Sequence, residues 1–134
     1  MPMDVAIVDP EKGLWEGEAD FLVARTADGE IGVLPNHAPF LGVLNYATLK
    51  LEAAGEVTLF AVHSGFLMVK DNKVSVLARV AEVGSQIDVP RAQRAMQNAE
   101  ETLKSDESNE EARRAFLRAE ARLKTAGELG LIPG

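Results

Sequence analysis

From Met3 to Val83 the chain runs in short apolar stretches that alternate with polar residues at a period of two. This is the spacing of strands whose alternate side chains enter a core. The stretches are Asp4-Val-Ala-Ile-Val8, Asp20-Phe-Leu-Val-Ala24, Ala47-Thr-Leu-Lys-Leu51, Val57-Thr-Leu-Phe-Ala-Val62, Phe66-Leu-Met-Val69 and Lys73-Val-Ser-Val-Leu-Ala78. Asp9-Pro10, Ala27-Asp-Gly29, Ala54-Gly55 and Asp71-Asn72 separate them with residues that favour turns. Many short strands so closely spaced predict a sandwich or a barrel.

After Gly84 the period lengthens. Ala92, Ala95, Met96, Ala99 and Leu103 fall at helical spacing, as do Ala112, Ala115, Phe116, Ala119 and Leu123. Asp88 is placed to cap the first helix, with Pro90 tolerated in its first turn. Ser108 followed by Glu111 predicts a capping box for the second, and Gly127 its stop. The short polar link Ser105 to Asn109 makes the two an antiparallel pair. Their seam is mostly alanine, which buries little area, and burial stabilises by only about 25 cal/mol per Å². Such a hairpin depends on docking to its own β domain or to a partner.

Charge adds an asymmetry to this layout. Residues 1–86 hold six basic side chains against twelve acidic, a balance of −6, and residues 87–134 hold eight against nine, a balance of −1. The acidic β half repels nucleic acid, whose phosphates need a basic surface. With no cysteine in the chain, disulfides, thiolate metal sites and cysteine nucleophiles are excluded. The start, with Asp4 and Asp9, lacks the basic and apolar segments of a secretory signal. The apolar run Leu59 to Val69 is far short of the roughly 20 residues of a membrane helix. At 134 residues the chain accommodates one core plus an appendage.

Three stretches, in order, carry a family resemblance: Gly29-Glu-Ile-Gly-Val-Leu-Pro-Asn-His-Ala-Pro39, His63-Ser-Gly-Phe-Leu67 and Ile87-Asp-Val-Pro-Arg-Ala92. With the β-then-two-helix layout they resemble the epsilon subunit of the F-type, proton-translocating ATP synthase. The resemblance implies an α+β fold, an N-terminal antiparallel β-sandwich of about ten short strands (1–86) followed by a C-terminal antiparallel two-helix hairpin (87–134). It also implies docking on the gamma subunit and the c-subunit ring, and a hairpin that reaches the alpha and beta subunits of the catalytic head and inhibits ATP hydrolysis. The place implied is peripheral, on the cytoplasmic face of a bacterial cell membrane, with membrane contact only through the complex. Two positions depart from the family pattern. Asn36 stands where glycine is usual, and asparagine tolerates a left-handed φ; His63 puts an imidazole where the family has serine, with no role evident from the sequence.

Site residues follow from the same resemblance. Glu30, Ile31 and His37 are implied as contacts to the c ring, the first two at a loop tip; the alternative is an exposed hairpin turn without a partner. Glu82, Ile87, Asp88, Arg91, Ala92, Arg118 and Arg122 match positions that bind ATP in some bacterial relatives, although Asn98 stands where those relatives carry arginine. Losing that charge-assisted bond weakens binding by roughly one to two decades, so ATP is expected as a weak regulatory ligand, with no required cofactor. The alternative is that Asp88 is only a cap and Arg91 only a solvated side chain. Arg113, Arg114, Arg118 and Arg122 form a basic run, with the last three at i, i+4 spacing on one face. They either dock on acidic segments of the catalytic head or form a solvated face paired with Glu111 and Glu120.

No residue pattern supports independent catalysis or a metal site. His63 and Ser64 are sequence neighbours without a nucleophile elbow, and Gly29 and Gly32 read as turn residues rather than a phosphate loop. The function expected is that of a non-catalytic rotor subunit coupling the c ring to gamma, against the alternative of a free-standing ATP-sensing binding module.

Overall fold

A computed structural model describes residues 2–132; residues 1, 133 and 134, the outer limits of the two expected units, lie outside the described residues. Seven strands come first: β1 (Met3–Val8), β2 (Gly13–Ala19), β3 (Phe21–Thr26), β4 (Gly29–Val33), β5 (Phe40–Ala53), β6 (Glu56–Lys70) and β7 (Lys73–Val83). A 3₁₀ turn at Gly84–Gln86 leads into α1 (Val89–Ser105) and α2 (Glu110–Glu128). The strands lie in the order β2-β1-β7-β6-β5-β3-β4, and β2 also touches β5, so the sheet folds over on itself. The main core contains Ile7, Leu22, Val33, Leu49, Phe60, Leu67 and Val76.

The α+β layout is as expected, with differences in detail. Among the described residues there are seven strands instead of about ten, and β1 runs parallel to β7 while the other pairs are antiparallel. The segments 57–62 and 66–69 are halves of one strand, β6. Gly32 is no turn residue: it lies within β4, paired with Val23.

What joins the two halves of β6 organises the sheet. Phe60 and Val62 point into the core in the first half, Leu67 and Val69 in the second. Inward residues are even-numbered before Ser64 and odd-numbered after it, which a regular strand of period two cannot do. The neighbours change phase at the same level: β5 turns in Leu44 and then Leu49 and Leu51, and β7 turns in Val76 and Ala78 and then Ala81. Because each of the three strands takes its extra residue there, their mutual register is unbroken. In β3 the buried residues stay in phase at Leu22, Ala24 and Thr26, and its register with β5 slips instead. Ser64 bears the distortion at φ 60°, followed by Gly65 at φ 146°.

The helices begin and end on local chemistry. The Asp88 carboxylate accepts from the Arg91 N–H at 3.1 Å, with Pro90 in the first turn, as expected. The cap of α2 is Asn109 and not Ser108: the helix starts one residue later, so Asn109 Oδ1 accepts from Ala112 N–H at 2.9 Å while the Ser108 hydroxyl donates to Asp106. Gly127 does not end α2. Gly130, at φ 77°, takes the left-handed turn, with Leu131 N–H bonded to Ala126 C=O and Gly130 N–H to Gly127 C=O, which closes the helix with paired carbonyls. The two helices pack together and bury Ala92 and Ala99 of one and Ala112 and Ala119 of the other.

A Cβ on Gly65 would lie 2.2 Å from the Leu77 carbonyl oxygen and 2.7 Å from Ala78 Cα, both backbone atoms of the neighbouring strand. Gly65→Ala is therefore expected to cost roughly 3 kcal/mol and to lower the melting temperature by about 10 °C. A thermal scan of the variant beside the parent checks it.

Candidate functional site

The hairpin meets the sheet almost entirely through α2, which lies across β5 and β6, while α1 rides on α2. In the first half of β6 the outward residues are therefore covered, and Leu59 through His63 are all buried. Three contacts hold α2 there. Ala61, Ile87 and Ala126 form a small second core with Val89 packed on it. The Thr48 and Thr125 hydroxyl oxygens lie 2.7 Å apart; since Thr125 donates to the Ala121 carbonyl, Thr48 donates to Thr125. Gly84 permits the approach, because a Cβ there would stand 2.7 Å from Leu129 Cδ1 and 2.9 Å from the Leu59 carbonyl oxygen.

The third contact is ionic. Glu82 Oε1 accepts from Arg122 Nε at 2.5 Å and from His63 Nε2 at 3.0 Å. One carboxylate thus joins β6, β7 and α2. Burial pushes the Glu82 carboxyl up, but hydrogen bonds from His63 and Arg122, with the guanidinium's charge, outweigh this and hold it below its ordinary 4.5. His63 is 2% exposed, and its Nδ1 has no hydrogen-bond partner among the described residues. The Tyr46 ring lies beside it at 6.1 Å between centroids.

The residues matched to an ATP site are only partly gathered. Glu82 and Arg122 meet, Ile87 and Ala92 are buried, Asp88 caps α1, and Arg91 is exposed. Arg118 turns away to Glu111 at 3.1 Å and shares it with Arg114; hydrogen bonds from Arg118 and then Arg114 draw the Glu111 carboxyl down. Arg113 reaches the Glu107 carbonyl. The pairing of the arginine face with Glu111 is present, whereas Glu120 bonds none of the four arginines.

Glu30 and Ile31 are not at a loop tip, because β4 begins at Gly29 and the turn before it is closed by Thr26, whose hydroxyl donates to the Gly29 carbonyl. Ile31 packs on the core. Glu30 lines a groove of about 180 Å³ with Arg25, Tyr46 and Lys124, beside α2. His37 lies beyond the other end of β4, its Nδ1 donating to the Ala38 carbonyl at 2.7 Å. Glu30 and His37 thus lie toward opposite ends of β4. Asn36 has the left-handed φ expected, 66°, and its N–H donates to the Asn72 side chain, whose amide also holds Pro2.

A second surface escaped the sequence reading. In the other half of the sheet the outward face is uncovered, and Leu41, Val43, Phe66, Met68 and Leu77 lie exposed there. Leu41 pairs with Met68, and Val43 and Leu77 flank Phe66, so the five form one strip. An apolar cleft of about 410 Å³ beside Phe66 continues to Val8 and Pro10. The signal was available: Phe66-Leu-Met-Val69 has no polar residue at its outward positions.

A folded sheet with a docked two-helix arm and one bare apolar strip defines a class of assembly subunit. Residues 2–84 match the family model of the ATP synthase Delta/Epsilon chain beta-sandwich domain, and residues 85–127 that of its long alpha-helix domain. The chain belongs to the ATP synthase delta/epsilon chain family, the family its three motifs resemble. It is 42% identical over 120 residues to the ATP synthase epsilon chain of Streptomyces griseus, covering 89% of this chain and 94% of the relative. Its identity to that of Desulforamulus reducens is 45% over 111 residues, covering 83% and 84%. Among solved structures it resembles a chain of the Euglena gracilis mitochondrial ATP synthase, an OSCP/F1/c-ring assembly, with TM-score 0.72, 22% identity and coverage of 98% and 82%. A chain of the Tetrahymena thermophila central stalk and c-ring aligns with TM-score 0.62, 15% identity and coverage of 94% and 97%. At these identities the structural likenesses speak for the fold.

Glu82's lowered titration has a definite sign. Its contribution to stability is fully present above its ordinary 4.5 and is lost as pH falls through the lower, folded-state value. Arg122→Gln should weaken docking by about 1 kcal/mol, a modest figure because both partners are about a third exposed and solvent screens them. Faster amide hydrogen exchange along α2, with β1 unchanged, is the readout.

Proposed function

We propose that this chain is a non-catalytic central-stalk subunit of an ATP synthase, joining the ring of c subunits to the gamma subunit, and that its hairpin restrains ATP hydrolysis. The family supplies the setting. The observation that carries the reading is the bare strip Leu41–Val43–Phe66–Met68–Leu77, since contiguous exposed apolar surface on a folded domain marks a docking site. It faces outward from the half of the sheet that the hairpin leaves open, so the shaft can be gripped whether or not the hairpin is docked. Contact with the c ring is assigned to the loop 34–39, which exposes Leu34, carries His37 and is fastened by Asn72.

Restraint of hydrolysis rests on the economy of the hairpin's attachment. A small apolar core, one hydroxyl pair and one shared carboxylate hold α2, so docked and extended hairpins differ by little free energy and their populations shift readily. Release of α2 frees Arg122 from Glu82 and adds its charge to that of the exposed Arg113 and Arg114, a basic face suited to carboxylates on the alpha and beta subunits. The place that follows is peripheral, at the membrane only through the complex; no described helix is long and apolar enough to cross a membrane.

Adding the full chain to a catalytic head that lacks it should slow ATP hydrolysis, whereas a version ending at Gln86 should bind and not slow it. Equal inhibition by both refutes the hairpin's role. Phe66→Glu, a change at a half-exposed position, should reduce binding to the head at least tenfold while leaving the melting temperature in place.

ATP is retained as a weak regulatory ligand. To reach Arg118 and Arg122 it must displace Glu111 and Glu82, and only Arg91 stands free of a bonded partner among the described residues matched to the site. Titration calorimetry should give heat only at millimolar ATP, reduced by Arg91→Ala. Tight binding, with no effect of the chain on the head, would favour a free-standing ATP sensor instead.

A further inference from the structure

The two cationic partners of Glu82 sit on different bodies. His63 belongs to the sandwich, two residues from Ala61, which pairs directly with Glu82 in the β6–β7 register. Arg122 belongs to the hairpin and leaves with it. We propose that the His63–Glu82–Arg122 cluster is a proton-operated latch: protonation of His63 gives Glu82 a partner within the sandwich and releases Arg122, and with it the hairpin.

The chemistry of the neutral ring comes first. A carboxylate only accepts hydrogen bonds, so the proton of neutral His63 is on Nε2 and donates to Glu82. Nδ1 is then an acceptor, buried and without a partner among the described residues. A second proton goes to Nδ1, which is buried and faces no hydrogen-bond acceptor among the described residues, and an unmet buried donor is costly. It also sets a second cation on a carboxylate oxygen that already holds Arg122.

Every element packed around the ring agrees with this sign. From β5 the facing group is the Tyr46 ring, from β7 it is Glu82 with Val80 directly opposite, and from α2 it is Arg122. Arg118, one turn earlier on α2, is occupied by Glu111. Among the described residues no second carboxylate comes within ion-pair distance of His63 or Arg122.

When α2 lifts away the guanidinium goes with it, and the whole charge of Glu82 is left to the imidazolium. The proton therefore binds the undocked state more tightly, and by linkage acid favours undocking. Histidine side chains in general change charge between about pH 5 and 8, and that is the range to probe.

This inference rests on the two-state hairpin proposed above, and the test separates the two. The full chain has no cysteine, so Glu56→Cys on the sandwich and Glu107→Cys at the hairpin tip give one labelled pair for fluorescence energy transfer. From pH 7.5 to 5.5 the docked-to-undocked ratio should fall about fivefold. His37→Gln, which removes the only other histidine, should leave the fall intact, and His63→Gln should abolish it. His63→Asn is the second substitution should the first fail to fold, with circular dichroism as the check. Arg122→Gln should lower the ratio about fivefold already at pH 7.5, the same modest cost as above.

A full pH response in His63→Gln or His63→Asn overturns the latch. So does a wild-type chain indifferent to pH while Arg122→Gln is released, an outcome that leaves the two-state hairpin standing. Unchanged energy transfer in every variant at every pH means that the hairpin does not move, and both ideas fall.

Discussion

The change of phase at Ser64 and Gly65 is the constraint on which the rest of this structure depends. Three central strands each spend one extra residue at a common level, so a sheet that would present one uniform outer face presents two. On one side of that level the outward residues include Ala61, His63 and Glu82, small or polar, which meet α2. On the other side they are Leu41, Phe66, Met68 and Leu77, large and bare. The strain of a non-glycine residue at a left-handed φ, of order 1 kcal/mol, is tolerated because the surrounding ladder is continuous on both sides.

That division gives one small sheet two outer faces of different chemistry. The bare half lies outside the footprint of the hairpin, and the covered half meets α2. Alanine on the hairpin seam and at its contact with the sheet keeps the buried area small, and hence the hydrophobic contribution. Specificity then falls to a few polar groups: the Thr48–Thr125 hydroxyl pair and the carboxylate of Glu82. One carboxylate is shared between an imidazole of the sheet and a guanidinium of the hairpin, so charge enters a seam that is otherwise apolar.

Much of this was legible along the chain. The switch from period two to helical spacing after Gly84 located the boundary, and Asp88 with Pro90 placed the start of α1. The errors came where neighbouring residues of similar chemistry compete. Ser108 and Asn109 can both cap a helix, and Asn109 does so because the chain enters α2 one residue later. Gly127 and Gly130 can both end one, and the left-handed turn falls to the second. The segment from Gly29 to Gly32 looked like a turn because its glycines mimic one, whereas its backbone is claimed by pairing with β3.

The amino-acid sequence by itself determined the order of elements, the family, the alanine seam and the concentration of arginines on α2, because periodicity, motif spacing and composition are local properties of a chain. Only the tertiary structure decided that His63, Glu82 and Arg122 meet, that Glu30 and His37 part, and that five apolar side chains from three strands line up in the open. Those outcomes depend on register, on which face a strand turns outward, and on where a helix comes to lie, and each is fixed by contacts between residues far apart in sequence.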